Sequence, residues 1–219
     1  MKRKVFGLLA TLLASACLVS VSFAATGPYM SVGVGGTWVQ DADSSYKDPA
    51  FADFNNTTEF DLGFNVAATA GFDFGPARLE GEIAYRQNDI DKIEFAGFLV
   101  PPPATFGGDI SSLSFMANGF WDIPTGSPAT PYLGGGIGVA NVSANDFKIN
   151  GDLLVDDDDT VFAYQLGAGI AFELNPNMAL DLGYRFFATA DPEFTDFEGD
   201  KVESEYMTHN ASLGLRIMF

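Results

Sequence analysis

Cysteine is nearly missing from this chain: its one thiol, Cys17, sits in "LASAC" near the N-terminus. Disulfides elsewhere in the chain and cysteine-based metal sites are therefore excluded. Positive charge is scarce too. Lys and Arg number 11 against 29 Asp and Glu, a formal net charge of −18. So acidic a chain repels phosphate backbones, and nucleic acid is not an expected partner. Histidine occurs once, as His209. After residue 24 no apolar run reaches the length of roughly 18 residues that a transmembrane helix needs. Long helical patterns with caps are missing as well. Strong acidity would mean disorder if aromatic and apolar residues were few. Here they make up 14% and 47% of the chain, which decides for a folded domain.

The first residues have the form of a secretory signal peptide. Lys2, Arg3 and Lys4 precede the apolar "VFGLLATLLASACLVSVSFA", and Ser22 and Ala24 put small residues where a signal peptidase reads. Residues 1–24 are expected to be removed, leaving 25–219 as one domain of about 195 residues. Losing the three basic residues takes the net charge from −18 to about −21.

What recurs through that domain is alternation, in segments of roughly ten residues separated by turn signals. In "YMSVGVGGTWV", Met30, Val32, Val34 and Trp38 share a face; "FNVAATAGFDF" lines up Phe64, Val66, Ala68, Ala70, Phe72 and Phe74. "ARLEGEIAYR" and "SSLSFMANGFWD" behave alike, with Leu79, Ile83, Tyr85, Leu113, Phe115 and Trp121 opposing charged or small residues. In "PYLGGGIGVANV" the apolar face is Leu133, Ile137 and Val139. "VFAYQLGAGIAFEL", "MALDLGYRFFAT" and the ending "HNASLGLRIMF" complete eight segments. Their connections alternate in length. Gly75-Pro76, "IPTGSPAT" and "NPN" are short; the segments 40–61, 87–110, 143–160 and 190–205 are long and acidic, and are expected to be loops. An up-and-down sheet with this spacing carries turns at one end and loops at the other.

The composition of the two faces separates a soluble barrel from a membrane barrel. The polar face carries Ser31, Gly33, Gly35, Thr69, Gly71, Gly167, Gly169 and Gly214, with modest charge of both signs and no lysine. Small residues with a few Arg and Glu suit a narrow interior in which charges must pair. The expected lumen network is Arg78, Glu80, Glu82, Arg86, Glu173, Asp181, Arg185 and Arg216. The apolar face gathers Trp38, Tyr85, Trp121, Tyr164, Tyr184, Phe186 and Phe219 towards segment ends, as aromatic girdles do at membrane interfaces. The fold expected is all-β: an eight-stranded antiparallel up-and-down transmembrane β-barrel. In lipid such a barrel must close, so the last strand is expected to pair with the first.

Through "GPYMSVGVGGTW", "AATAGFDFGPARLEGEIAYR", "SLSFMANGFWD", "TPYLGGGIGVA", "VFAYQLGAGIAFELNPNMALDLGYRFF" and the ending, the chain resembles the opacity-protein and surface-antigen family of outer-membrane barrels, related in build to the OmpA membrane domain. The resemblance covers residues 27–219. It implies the outer membrane of a Gram-negative bacterium, loops outside and both termini in the periplasm. It implies contact with lipid, lipopolysaccharide and the barrel-assembly machinery. The ending resembles the signal that machinery reads, through Leu213, Leu215, Ile217 and Phe219, with Ile217 where an aromatic is commoner. It does not imply one activity, since members include adhesins, antigens and structural proteins.

The favoured expectation is a structural and surface-interaction role through the acidic loops, toward an external ligand that the residues do not name. The alternative is a narrow pore, weighed against an eight-stranded interior that side chains nearly fill. Catalysis is not expected: a lipid A deacylase places His-x-Ser on the lipid face, whereas His209 is followed at 211 by Ala. No cofactor site is expected either, because the glycine clusters "GVGG" and "LGGGIG" lack the helix and lysine of a nucleotide loop. Asp156, Asp157, Asp158 and Asp159 lack the spacing of a calcium loop and are expected to be a solvated acidic loop. The candidate contact site is the apolar tip in "IEFAGFLVPPPATFGG", with Phe95, Phe98, Leu99, Val100 and Phe106.

Overall fold

The computed structural model describes residues 26–40, 42–46, 55–95, 98–99, 106–149, 152–195 and 201–219, and leaves the side chains of 42–46, 55–60, 90–106, 147, 149, 152–155 and 201–202 aside. Residues 1–25, with the expected signal peptide, lie outside the description, as does Val100. Thirteen strands follow in order: β1 (Gly27–Val39), β2 (Ala42–Tyr46), β3 (Asn55–Phe60), β4 (Gly63–Asp73), β5 (Ala77–Phe95), β6 (Phe98–Leu99), β7 (Phe106–Asp122), β8 (Ala129–Ile149), β9 (Asp152–Asn175), β10 (Met178–Thr189), β11 (Glu193–Thr195), β12 (Lys201–Ser204) and β13 (Met207–Met218). Each of the eight alternating segments forms one long strand: β1, β4, β5, β7, β8, β9, β10 and β13. Each pairs antiparallel with the next, and β1 pairs with β13, so the ladder closes.

The registers fix the shape. From Gly33 the pairs lead through Ala67, Ala84, Ser114 and Ala140 to Val161 on β9. The other way round, through Gly214 and Asp181, they lead to Ala171. The gap from 161 to 171 is the stagger of the barrel. With a rise of about 3.3 Å per residue and strands about 4.8 Å apart it tilts eight strands by about 40°.

Facing follows the alternation in the sequence. On β9, Leu166 is 61% exposed and its neighbour Gln165 1%. Leu79, Ile83, Leu133, Ile137, Phe162, Leu182 and Leu213 all point out of the barrel and form an apolar band. Large exposed apolar surface of this extent needs an apolar solvent, here lipid. Arg78, Glu82, Arg86 and Arg216 point inward and are buried.

The acidic connections differ from the sequence expectation. Most of 87–110 and 143–160 is strand: β5 pairs with β7 out to Asp89↔Asp109, and β8 with β9 out to Ile149↔Asp152. The segments 40–61 and 190–205 also contain short strands, with β3 pairing the outer part of β5, β2 pairing β3 and β12, and β12 pairing β11. The strands therefore continue past the apolar band into a second tier, a crown. Its pattern inverts. Beyond Val139, the outward residues of β8 become Asn141, Ser143 and Asn145, while the inward ones become Ala140, Val142 and Ala144. Ile110, Met116, Val142, Phe187, Phe194 and Tyr206 pack there as a buried apolar core. Below, the solvent outside is lipid and the interior is polar; above, the outside is wet and the interior greasy. The alternation persists, and only the assignment of its two faces changes.

The run Asp156, Asp157, Asp158 and Asp159 lies within β9, not in a loop. It closes the crown where β9 meets β11. Asp157 accepts the Asp158 N–H at 2.9 Å and the Thr195 N–H at 2.8 Å. Asp159 accepts the Thr160 N–H at 2.7 Å and the Glu193 N–H at 3.0 Å. Each carboxylate thus bridges one amide of β9 and one of β11, and forms a rung where a backbone pair would otherwise stand.

The Thr195 amide, then that of Asp158, holds the Asp157 carboxyl below its ordinary value of 3.8. A depressed carboxyl stabilises the fold above its unfolded value, and that stability is lost as pH falls through the folded value. Amide exchange at Thr195 is therefore expected to stay slow at about pH 5 and to quicken, after correction for intrinsic rates, below about pH 4. Asp157→Asn is expected to raise exchange at pH 5 and abolish that acid dependence; protection that ignores both acid and substitution would refute the carboxylate rung.

Candidate functional site

Inward parity brings four arginines and five carboxylates into one lumen, four of the carboxylates paired with the arginines and the fifth, the buried Asp73 on β4, beside them. Arg78 on β5 donates from Nε and Nη2 to the Asp122 carboxylate on β7 at 2.8 and 2.9 Å. Arg216 on β13 makes the same two-pronged bond to Asp181 on β10. Such paired bonds are the strongest form of this contact. Between them, Arg185 on β10 reaches Glu80 at 3.5 Å and Glu82 at 3.3 Å. Arg86 lies 3.9 Å from Glu82 and donates to the Ser114 hydroxyl at 2.9 Å. Charge is balanced across these ion pairs, as burial in a low dielectric requires, and the buried Asp73 carboxylate accepts the Gly75 N–H at 2.7 Å.

Aromatic and amide groups fill the rest. The Tyr29 hydroxyl donates to Glu80 at 2.6 Å. Asn118 and Gln165 donate to Glu82 at 3.3 and 3.2 Å, and Gln165 also to the Asn118 carbonyl at 2.7 Å. The guanidinium of Arg78 lies over Tyr132, that of Arg185 over Phe120, and that of Arg86 over Phe187 at 4.0 Å. Lumen glycines make room for these rings: a Cβ at Gly71 would lie 2.7 Å from the Tyr29 ring, and one at Gly169 would meet the Tyr132 hydroxyl. The space left among these side chains is a cavity of about 50 Å³, room for a few water molecules. Phe187 then joins the polar lumen below to the apolar crown core above.

Of the expected network, Arg78, Glu80, Glu82, Arg86, Asp181, Arg185 and Arg216 come together. Glu173 does not. It keeps the inward parity of β9 but lies at the exposed mouth where the short turns are, beyond the reach of the arginines. Parity assigns a side, and the length of the strand past the barrel's end decides whether that side is enclosed. Tyr29, Asp122, Phe120, Tyr132 and Gln165 belong to the network and were missed. Their signal was present, since each alternates with an outward apolar residue such as Met30, Trp121, Leu133 or Leu166. An aromatic at an inward position is hidden by the rule that greasy residues face lipid.

Of the candidate contact residues, Phe95, Phe98, Leu99 and Phe106 lie in strands, with β6 folding back on Glu94 and Phe95. Their side chains, and all of Val100, lie outside the described residues. The ending is held at both edges: β13 pairs with β1 and β10, and the Phe219 amide donates to the Pro28 carbonyl at 3.0 Å. Leu213, Leu215 and Ile217 alternate with the inward Arg216. His209 points outward in the aromatic girdle, with its Nδ1 2.6 Å from the Tyr184 hydroxyl and its ring beside Phe186. Among the described residues, no three His, Cys, Asp or Glu side chains gather as a metal site.

A closed eight-stranded barrel, apolar outside and ion-paired inside, defines a transmembrane β-barrel of the bacterial outer membrane. The chain belongs to the outer membrane protein beta-barrel domain family, whose model matches residues 6–219. This agrees with its resemblance to opacity-type surface proteins and places it in the outer membrane of a Gram-negative cell. It is 40% identical over 79 residues to a Brucella abortus protein of uncharacterized function, covering 32% of this chain and 28% of that one. It is 25% identical over 136 residues to the outer membrane protein PagN of Salmonella typhimurium, covering 56% of each. The chain thus spans little more than half, at most, of the length of these two curated relatives. In fold it is similar to Neisserial surface protein A, with a TM-score of 0.55 and 21% identity over 88% of this chain and 97% of that one.

Removing the Glu82 carboxylate would leave Arg185 and Arg86 without their shared buried partner. Glu82→Ala is expected to cost about 3–5 kcal/mol of stability, and Glu82→Ala with Arg185→Ala less than the sum of the two single changes. Urea unfolding in lipid vesicles measures both, and strict additivity would show that the pair does not interact.

Proposed function

We propose that this protein is a closed, non-conducting and non-catalytic barrel whose role is to hold the crown at the cell surface for contact with other molecules, in the manner of an adhesin or surface antigen. The observation that carries this reading is the double seal of the lumen. An ion-paired layer fills the membrane level and leaves about 50 Å³, and a dry core containing Val142, Phe187 and Tyr206 sits above it. A hydrated ion passing along the axis would have to cross both, and the second is mainly apolar, with the Tyr206 hydroxyl already donating to Ser112 at 3.3 Å.

In this reading the crown faces outward and both termini lie in the periplasm. The lipid-facing run Leu213, Leu215, Ile217 and Phe219 serves as the signal for the barrel-assembly machinery. The contact surface is a strand-built tower rather than a set of pliant loops. Every arginine after residue 4 is in the lumen, while the lysines among the described residues, Lys92 on β5, Lys148 on β8 and Lys201 on β12, fall in the crown. Among the described residues most of the acidic ones fall there as well, so the tower is strongly negative. Catalysis is disfavoured because the one imidazole is hydrogen-bonded to the Tyr184 hydroxyl and position 211, where a His-x-Ser pair needs its serine, is Ala.

The alternative, a narrow pore, makes the opposite electrical prediction. Refolded protein, verified by the heat-dependent gel shift of a folded barrel, is expected to give no steady current steps in a planar bilayer. Ion-selective steps that change on Arg78→Ala would overturn the closed reading and establish the pore.

A further inference from the structure

The two tiers of the barrel close by different means. At membrane level β1 meets β13 through a continuous backbone ladder. In the crown the sheet order ends at β11, and among the described residues no backbone ladder joins β11 to β9. The Ala190 amide still reaches the Phe162 carbonyl at 2.8 Å. Beyond that bond the β11 amides turn to side chains: the Glu193 N–H donates to Asp159 and the Thr195 N–H to Asp157.

The apolar core lies directly behind these rungs. Asp157 stands opposite Ala144 on β8 and Asp159 opposite Val142, and both of those partners are buried in that core. Phe194, between the two donating amides, packs into it as well. On its other edge β11 keeps its backbone pairing with β12, so the seam can part without dismantling the tier. The charges around the rungs are Asp156 and Asp158 on β9, Asp191 and Glu193 at β11, Glu203 and Lys201 on β12, and the Asp146–Lys148 pair farther out on β8. Asp158 accepts from Asn141 at 2.7 Å. Behind the seam the Tyr206 hydroxyl donates to Ser112.

Each rung uses both oxygens of its carboxylate, one for an amide of β9 and one for an amide of β11. A protonated carboxyl carries a hydroxyl that donates, so one of its two amides loses an acceptor. We infer that acid parts the crown along the seam between β9 and β11, releases Phe194 from the core and gives the hydrophilic tower an apolar opening. This is a regulation of the contact surface proposed above and takes its use from that reading; the opening itself depends only on the rungs. The direction follows from Asp157, whose carboxyl the Thr195 amide holds below its ordinary value of 3.8. The seam is held above that value and parts as pH falls through the lower, folded one.

The test places one thiol in the crown core, Val142→Cys in a Cys17→Ser background, and follows its reaction with dithiodipyridine, a reagent that works in acid. Ala144→Cys serves the same purpose should the first variant not refold, and Ala84→Cys reports on the lumen. Each refolded variant is first shown to keep the heat-dependent gel shift. Relative to a free thiol, the crown cysteine is expected to react at least about tenfold faster at about pH 3 than at about pH 6, and to regain protection on return to the higher pH, while the lumen cysteine stays slow throughout. Asp157→Asn with Asp159→Asn leaves each rung one acceptor oxygen, and is expected to give fast labelling of the crown at both pH values. A crown cysteine that stays protected in acid, lumen and crown cysteines that become reactive together, or an asparagine double variant as protected as its parent would overturn the inference. Crown labelling is read separately from the bilayer currents that judge the closed barrel, so either can fail without the other.

Discussion

Everything in this molecule depends on closing a hydrogen-bond ladder in a solvent that can supply no hydrogen bonds. A strand edge left open in lipid would strand a row of amides and carbonyls, each costing several kcal/mol. The pairing of β1 with β13 removes that edge. It also fixes the stagger, and the stagger fixes which inward side chains meet. Tyr29 and Glu80, or Arg185 and Glu82, come from strands that are not neighbours and touch only because the sheet is a tube of this width.

The second constraint is that one strand serves two solvents. β8 and β9 run from lipid into water without a break, and the alternation runs with them. What changes is which face is apolar. The inversion at Val139 and Asn141 marks the boundary on the protein itself. Charge follows the same division among the described residues: arginines, whose planar forks can be paired and stacked in a dry space, stay in the lumen, and lysines stay in the wet tier.

The crown has the harder closure. Its strands β2, β3, β11 and β12 are short, and β9 and β11 meet through the carboxylates of Asp157 and Asp159. In water a charged rung of this kind is tolerable, because the carboxylate oxygens can still be hydrated from the open side. The same rung at membrane level would need a buried cation. An acidic run read as a solvated loop therefore has an architectural use, and Phe194 on β11 is held against the crown core by it.

The eight spanning strands, their facing, the closure of the last on the first and the inward placement of Arg78, Glu82, Arg86 and Arg216 were legible in the sequence. All of these rest on a two-residue period, which is a local property of a strand and needs no partner to be read. Tertiary structure alone decided the rest. Glu173 shares the inward parity but lies outside the lumen, because enclosure depends on where the neighbouring strands end. Tyr29, Phe120 and Tyr132 join the polar network because glycines on facing strands vacate space for them. The acidic segments continue as sheet because their pairing partners are distant in sequence, and a strand whose outer face turns from lipid to water loses the composition by which it was recognised.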